Sequence, residues 1–345
     1  MKGFGFAEHG GLERLGFVEI AEPVPGPGEV RVRLKAAAFN RLDRFTLQGI
    51  PGVPIERPHV LGSDGAGLVD AVGSGVETSL IGSRVTINPG LWDGVCPACR
   101  RGHEEACPQY RIVGEHTQGT ATRWVTVPRR NVHRLPDDRA FEEGAAAPLV
   151  FQTAWRALAT VGEVGPDCRV AIVGAGGGVV PAAVQVAHHL GARVTVAARS
   201  RAKADRLRPL GADETVEFGE EHPLDRELWT TSGKRGYDVI FDSVGAPTLP
   251  RSVRALARGG RVVVIGATAG PVVSLDVRTL FWRQASIRGS TMASAAEFEA
   301  MYDAWRRGDL RSVIDSRWRW EEAPAALARF DSPELLGKIV LTLPE

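Results

Sequence analysis

Three cysteines fall within twelve residues, in the spacing Cys96-x2-Cys99-x7-Cys107. Thiolates so placed are metal ligands, and a closed tetrahedral zinc site needs a fourth donor. Asp93 stands three residues before Cys96 and continues the three-residue stepping, so Asp93, Cys96, Cys99 and Cys107 form the first candidate set; His103 is the competing fourth ligand. The remaining cysteine, Cys168, lies at the start of a strand and reads as a small buried residue. A second chemical feature is the run Val173-Gly174-Ala175-Gly176-Gly177-Gly178-Val179. Between a strand and a helix, such a turn lets backbone N–H groups approach a pyrophosphate, and the helix N-terminus adds positive potential. The fingerprint is imperfect. Gly174-x-Gly176 is present, but Val179 holds the place of the third glycine; in the register that starts at Gly176, Val180 stands where a small residue belongs. A third feature is Ala197-Ala198-Arg199-Ser200-Arg201-Ala202-Lys203, at the end of the next strand. A carboxylate there would bind the ribose 2′-hydroxyl of NAD, and none is present. Arg199 and Arg201 can make planar, charge-assisted contacts to a 2′-phosphate, Ser200 can donate a hydrogen bond, and Lys203 adds charge, so the expected cofactor is NADPH. A solvated basic helix start is the plainer alternative, although such residues oppose the macrodipole. His59, His116 and His133 are isolated in sequence and read as structural; His116 follows Glu115 directly, just after the cysteine lobe, and is the one to watch.

These residues need elements to position them. Up to about residue 128 the chain is rich in Gly and Pro with short alternating runs: Val30–Leu34, Ala66–Val72 and Arg84–Ile87 read as strands. Phe141–Ala159 is Ala-rich and predicts one helix. Strands and helices then alternate: strand Arg169–Gly174, helix Val179–Leu190, strand Arg193–Ala198, helix Arg201–Leu210, strand Tyr237–Ser243, helix Pro247–Ala257, strand Arg261–Gly266. Such βαβ alternation implies a parallel, doubly wound sheet with helices on both faces. The C-terminal segment adds helices Ala295–Arg307 and Glu321–Phe330 and a last strand, Lys338–Leu343.

A length of 345 residues suggests two domains. A formal net charge of +1 gives no global pull toward nucleic acid or an acidic membrane surface. No run reaches the roughly 18 apolar residues of a membrane span, and the first fifteen residues lack an apolar signal core. A cytoplasmic protein without nucleic-acid or membrane partners is expected; in a reducing compartment clustered cysteines point to metal more than to disulfides.

Together these features resemble the medium-chain dehydrogenase/reductase superfamily. The resemblance runs from Gly28-Glu29-Val30 through Leu61-Gly62-Ser63-Asp64-Gly65-Ala66-Gly67, the cysteine lobe and the glycine-rich region to Gly337-Lys338-Ile339-Val340. Gly289-Ser290-Thr291-Met292 looks like a bacterial branch of zinc-binding alcohol dehydrogenases and quinone oxidoreductases. The resemblance implies an α/β protein: a Rossmann doubly wound parallel sheet domain over 129–271, plus a GroES-like, mostly β catalytic domain from 1–128 and 272–345. It puts Asp93 where the first of four structural-zinc cysteines would be. It implies that Thr153 faces the nicotinamide, that Gly245 and the Gly266-Ala267-Thr268 turn border the cofactor, and that Lys338 lies near its phosphates. It also implies a homo-oligomer, dimer or tetramer, paired through a sheet edge at Arg261–Gly270 and Pro271–Leu275.

The departures concern the chemistry. Zinc alcohol dehydrogenases carry a catalytic Cys in a Cys-x-x-Asp segment and a His in a Gly-His-Glu segment; this chain has Asn40-Arg41-Leu42-Asp43 and Gly62-Ser63-Asp64. An amide and a hydroxyl are poor zinc ligands. The pattern is similar to zinc-free quinone oxidoreductases and enoyl reductases, many of which have a tyrosine where this chain has Phe45. The resemblance therefore implies hydride transfer from NADPH to an activated alkene or a quinone without a catalytic zinc. Asn40 would lie near the nicotinamide and the substrate carbonyl, with Asp43 orienting its neighbours; helix capping is the plainer role for this pair. Phe45, Trp92 and Phe281 are candidates for an apolar acceptor pocket shaped by the loops Leu47–Arg57 and Asp276–Arg283. Two rivals remain: a zinc-dependent alcohol dehydrogenase or carbonyl reductase, and a non-catalytic NADPH-binding sensor or structural protein.

Overall fold

The computed structural model describes residues 1–344. The chain forms two compact units, Met1–Val150 with Ser294–Glu345, and Phe151–Ala293.

The first unit is built on a seven-stranded sheet. In spatial order it runs Val132–Arg134, Arg84–Ile87, Asp64–Val72, Glu29–Phe39, Lys338–Thr342 and Ile314–Arg319, with Trp124–Pro128 also paired to Glu29–Phe39. The long strand Glu29–Phe39 is central because its alternation serves two environments: Val30, Val32 and Leu34 are buried, while Arg31, Arg33 and Lys35 between them reach the half-exposed face. Beyond Lys35 the pattern becomes Ala36-Ala37-Ala38-Phe39, buried throughout, as expected where the strand is covered on both faces. The last strand lies antiparallel to it, with Ile339 opposite Phe39 and Val340 opposite Ala38. That register carries Lys338 to the point where Glu29–Phe39 ends at Asn40, across nearly the whole length of the sequence. Helix Arg41–Gln48 starts there.

The second unit is a six-stranded, wholly parallel sheet in the order Glu214–Glu217, Arg193–Ala198, Arg169–Val173, Tyr237–Asp242, Leu256–Val264 and Ser286–Gly289. The doubly wound expectation is borne out. Fully buried strands such as Val170-Ala171-Ile172-Val173 read as continuous apolar runs because helices cover both faces.

Several details differ from the sequence expectation. Phe141–Ala159 is not one helix: Phe141–Ala146 and Pro148–Trp155 are separate, followed by a wider turn, Arg156–Val161. Pro148 has no N–H to continue the ladder and begins a new helix instead. The unit boundaries fall later than 128 and 271, because helix Phe141–Ala146 packs on strands of the first unit and Ser286–Gly289 pairs in the second sheet. That pairing also makes Leu256–Val264 an interior strand, so the sheet edge is Ser286–Gly289 and not Arg261–Gly270. Strand Glu214–Glu217 and helix Leu224–Thr231 were not anticipated; their charged and polar residues hide a short half-buried pattern. Among the described residues no helix is long and apolar enough to cross a membrane.

Candidate functional site

In the second unit the glycine-rich turn leaves the carboxyl end of Arg169–Val173 and enters helix Val179–His189. Gly174 and Gly177 take φ of 111° and 67°, the left-handed region that glycine adopts without strain. The departure from the fingerprint is tolerated: Val180 is buried, and its Cγ2 would sit 3.7 Å from a Cβ at Gly174, an ordinary contact. The other loops expected at a dinucleotide site gather at the same carboxyl edge. Gly245 follows strand Tyr237–Asp242 with φ 91°, and a Cβ there would meet the Gly270 carbonyl at 2.6 Å. The Gly266-Ala267-Thr268 turn closes on it, the Thr268 hydroxyl donating to Ser243 O at 3.1 Å. One residue that sequence reasoning missed holds this corner. Asp242 is fully buried and accepts from Val244 N (2.9 Å), Gly245 N (3.1 Å), Thr248 Oγ1 (2.9 Å) and Ser252 Oγ (2.9 Å). Four donors compensate the buried carboxylate and fix the turn.

Arg199, Ser200 and Arg201 are exposed at the end of strand Arg193–Ala198, with Lys203 half-buried. Ser200 caps helix Arg201–Asp205, its Oγ accepting the Lys203 N–H at 3.4 Å. A carboxylate does lie nearby, contributed by another strand: Glu217 is opposite Ala198 and accepts the Arg201 backbone N–H at 3.2 Å. No local motif marks it, because the pairing is between strands. Thr153 lies near the end of helix Pro148–Trp155 and is largely buried.

The cysteine lobe assembles as the spacing implies. One ligand atom from each of Asp93, Cys96, Cys99 and Cys107 lies within 4.8 Å of the others. A tetrahedral zinc with bonds of about 2.3 Å to sulfur needs donors roughly 3.8 Å apart, so a small contraction would close the set. Cys96 Sγ accepts the Cys99 N–H at 3.4 Å, which lowers the Cys96 thiol, and Cys107 Sγ accepts the Gln109 N–H at 3.3 Å, while burial pushes the Cys99 thiol up to about 12. Asp93 accepts N–H groups from Cys96 at 2.9 Å and Val95 at 2.8 Å, which hold its carboxyl well below the usual range and keep it anionic. His103 is outside the cluster; it is exposed, with Nδ1 3.5 Å from Glu105. The residues present therefore fit a zinc ion, with Asp93 as the fourth ligand.

The first unit carries a buried polar cluster where the catalytic-zinc donors would be. Lys338 Nζ donates to Asn40 Oδ1 and to Asp64 Oδ2, both at 2.6 Å, and Asn40 Nδ2 donates to Asp64 Oδ2 at 2.8 Å. Asp64 Oδ1 also accepts the Leu149 N–H at 2.9 Å. Lys338 is 2% exposed and Asp64 0%. Two corrections follow. Lys338 is not open to a cofactor phosphate; its ammonium is committed inside the first unit. Asn40 makes no side-chain cap, because both ends of its amide are engaged by Lys338 and Asp64, leaving one N–H and one lone pair for other partners. The cap is made in reverse: Asp43 accepts the Asn40 N–H, and its other oxygen accepts the Gly62 N–H, each at 2.6 Å. Burial still pushes the Asp43 carboxyl up to about 6, against the opposing effect of those two bonds. Asp43 thus ties the start of the helix to the Gly62-Ser63 turn. An ammonium bonded to both Asn40 and Asp64 is a poor fit to a second metal.

Helix Arg41–Gln48 and the loop after it, through Leu42, Phe45, Gln48, Gly49, Ile50 and Pro51, line a pocket of about 390 Å³ together with Glu115. Phe45 and part of the loop after Leu47 thus line one cavity. Trp92 instead packs under the Arg130 guanidinium, and Phe281 is exposed on the second unit. His59 and His133 are structural: His59 Nε2 donates to Gly114 O at 3.0 Å, and burial lowers both, His133 to about 4.

The comparisons with known proteins agree with this architecture. Residues 26–137 match the alcohol dehydrogenase GroES-like domain, and residues 178–307 the zinc-binding dehydrogenase domain. A zinc-type alcohol dehydrogenase-like protein of Schizosaccharomyces pombe is 30% identical, covering 92% of this chain and 91% of its own. A quinone oxidoreductase of Pseudomonas aeruginosa is 31% identical, covering 97% and 98%. The crystal structure of an NAD-dependent alcohol dehydrogenase is 40% identical over the whole of both chains, with a TM-score of 0.94. With a Rossmann crevice, a zinc-type lobe and oxidoreductase relatives along its whole length, this chain belongs to the medium-chain dehydrogenase/reductase superfamily and is an oxidoreductase.

Proposed function

We propose that the protein is an NADPH-dependent reductase of activated alkenes or quinones that works without a catalytic zinc. The observation that carries this reading is the Lys338–Asn40–Asp64 cluster, which puts an amide and a carboxylate already paired to a buried ammonium where a zinc enzyme needs free donors. Bound NADPH supplies the hydride. The chain's own part is to seat the acceptor against the apolar wall of Leu42, Phe45 and Ile50 and to exclude water from it. Quinones and unsaturated carbonyls suit such a pocket because their own carbonyl takes up the developing charge. In the zinc lobe, Asp93, Cys96, Cys99 and Cys107 would hold one structural ion. The test is turnover of NADPH with an unsaturated ketone and identification of the product.

The second reading, an alcohol dehydrogenase, is favoured by relatives known as alcohol dehydrogenases. They also bear on the cofactor, since one of them is NAD-dependent. Here Arg199 and Arg201 support NADPH. Charge-assisted hydrogen bonds contribute about 1.5–3 kcal/mol and each 1.4 kcal/mol is tenfold. The double variant Arg199→Ala/Arg201→Ala is therefore expected to raise the KM for NADPH by about tenfold or more, with that for NADH changing only a few-fold. Equal losses with both cofactors, or a wild type that prefers NADH, would refute the assignment. The same reading includes a homo-oligomer paired at the Ser286–Gly289 edge, beside which Val277, Phe281 and Trp282 are exposed.

A further inference from the structure

The apolar pocket contains one acid. Glu115 is only 7% exposed, lines the pocket with Phe45 and Ile50, and among the described residues its carboxyl accepts no hydrogen bond. Its position is fixed by the backbone beneath it. Gly114 has φ 81°, and a Cβ there would meet the Gly62 carbonyl at 2.2 Å, so the turn rests directly on the Gly62-Ser63 segment. His59 donates to Gly114 O, and Gly114 N donates to Thr117 O at 3.1 Å. The groups that face the carboxyl are His116, from its own turn, and Asp43, from helix Arg41–Gln48. His116 Nδ1 lies 3.8 Å from Glu115 Oε2 but already accepts the Ile112 N–H at 3.2 Å, so that nitrogen carries no proton to share. Asp43 is acidic and repels a second negative charge. A carboxyl so placed has no cation to hold it ionised.

We propose that Glu115 is the proton donor of the reaction, delivering its proton to the α-carbon of an unsaturated carbonyl substrate seated in this pocket. This rests on the alkene-reductase reading above and supplies the donor that Phe45, lacking a phenol, does not. A hydride supplied by bound NADPH, which would leave as NADP+, would form a C–H bond at the β-carbon while the alkene electron pair moves onto the carbonyl as an enolate. The Glu115 O–H bond then breaks as its proton forms the second C–H bond at the α-carbon, and water re-protonates the carboxylate. Burial first, and Asp43 second, push the Glu115 carboxyl up to about 7, so the acid form is present at neutral pH.

The test compares wild type with Glu115→Gln and Glu115→Asp, each checked for folding by its melting temperature and NADPH binding. In wild type, kcat for an enone is expected to be highest at low pH and to fall as pH rises through about 7. Glu115→Gln should lower kcat about 100-fold or more, abolish that limb and leave NADPH affinity unchanged. In D2O, wild type should place deuterium on one face of the α-carbon, and Glu115→Gln should lose that preference. Glu115→Asp should retain the limb at reduced rate, which keeps the test open should the glutamine variant fail to fold. If wild type reduces the enone and both variants keep its rate, pH limb and facial preference, Glu115 is not the donor and the reductase reading stands. If wild type reduces no activated alkene, the reading of the function falls and this assignment with it.

Discussion

Replacing Lys338 with methionine is expected to destabilise the first unit by about 3–5 kcal/mol, the usual cost of stranding one partner of a buried ion pair. The ammonium is 2% exposed and bonds two oxygens at 2.6 Å, so its loss leaves the Asp64 carboxylate, fully buried, with only the Asn40 amide and the Leu149 N–H. For a unit of this size the melting temperature should fall by about 10 °C. Adding Asp64→Asn should recover part of the loss, because the stranded charge disappears with its partner. Were Lys338 a phosphate ligand instead, Lys338→Met would leave the melting temperature unchanged and raise the KM for NADPH. The thermal melt and the cofactor titration together separate the two roles.

The second large effect concerns the cysteine lobe. Purified protein should contain one zinc per chain, and Cys107→Ser should contain none. Zinc bound by such donors contributes on the order of 10 kcal/mol in small zinc domains, so the segment it closes should lose its fold without it. The lobe has little else to hold it: short turns at Cys99–Arg101 and Glu104–Ala106 and a two-residue strand pair, Gly90–Leu91 with Arg111–Ile112. Limited proteolysis should then cut between the cysteines in Cys107→Ser and not in wild type, while NADPH binding to the separate parallel sheet persists. A metal-free wild type that resists cleavage would show that the four side chains meet without an ion.

What the sequence made legible follows local pattern. The central strands of the parallel sheet were readable because Arg169–Val173, Arg193–Ala198 and Tyr237–Asp242 are largely apolar runs each followed by a helix, and the loops after Val173, Asp242 and Val264 carry glycines. The candidate metal cluster was readable because three of its four side chains lie within a few residues of one another. What could not be read is what distant segments bring together. Lys338 meets Asn40 only through the antiparallel register of Lys338–Thr342 on Glu29–Phe39. Glu217 reaches Arg201 only because its strand lies beside Ala198. Glu115 carried no motif at all; its interest comes from the turn that presses Gly114 onto Gly62 and turns an ordinary acid into a buried one. Asp242 was hidden at the end of an apolar strand, where its four donors come from the following turn and helix. Local signals gave the frame and the cofactor crevice, whereas the chemistry of the acceptor pocket depends on long-range pairing.

The most direct measurement of the central claim is NADPH oxidation with an α,β-unsaturated ketone, with the product identified and the zinc counted in the same preparation. Hydride transfer without a catalytic metal predicts the saturated ketone, from protein carrying one zinc per chain. An allylic alcohol, made by protein with two zinc ions per chain and lost on chelation, would contradict it.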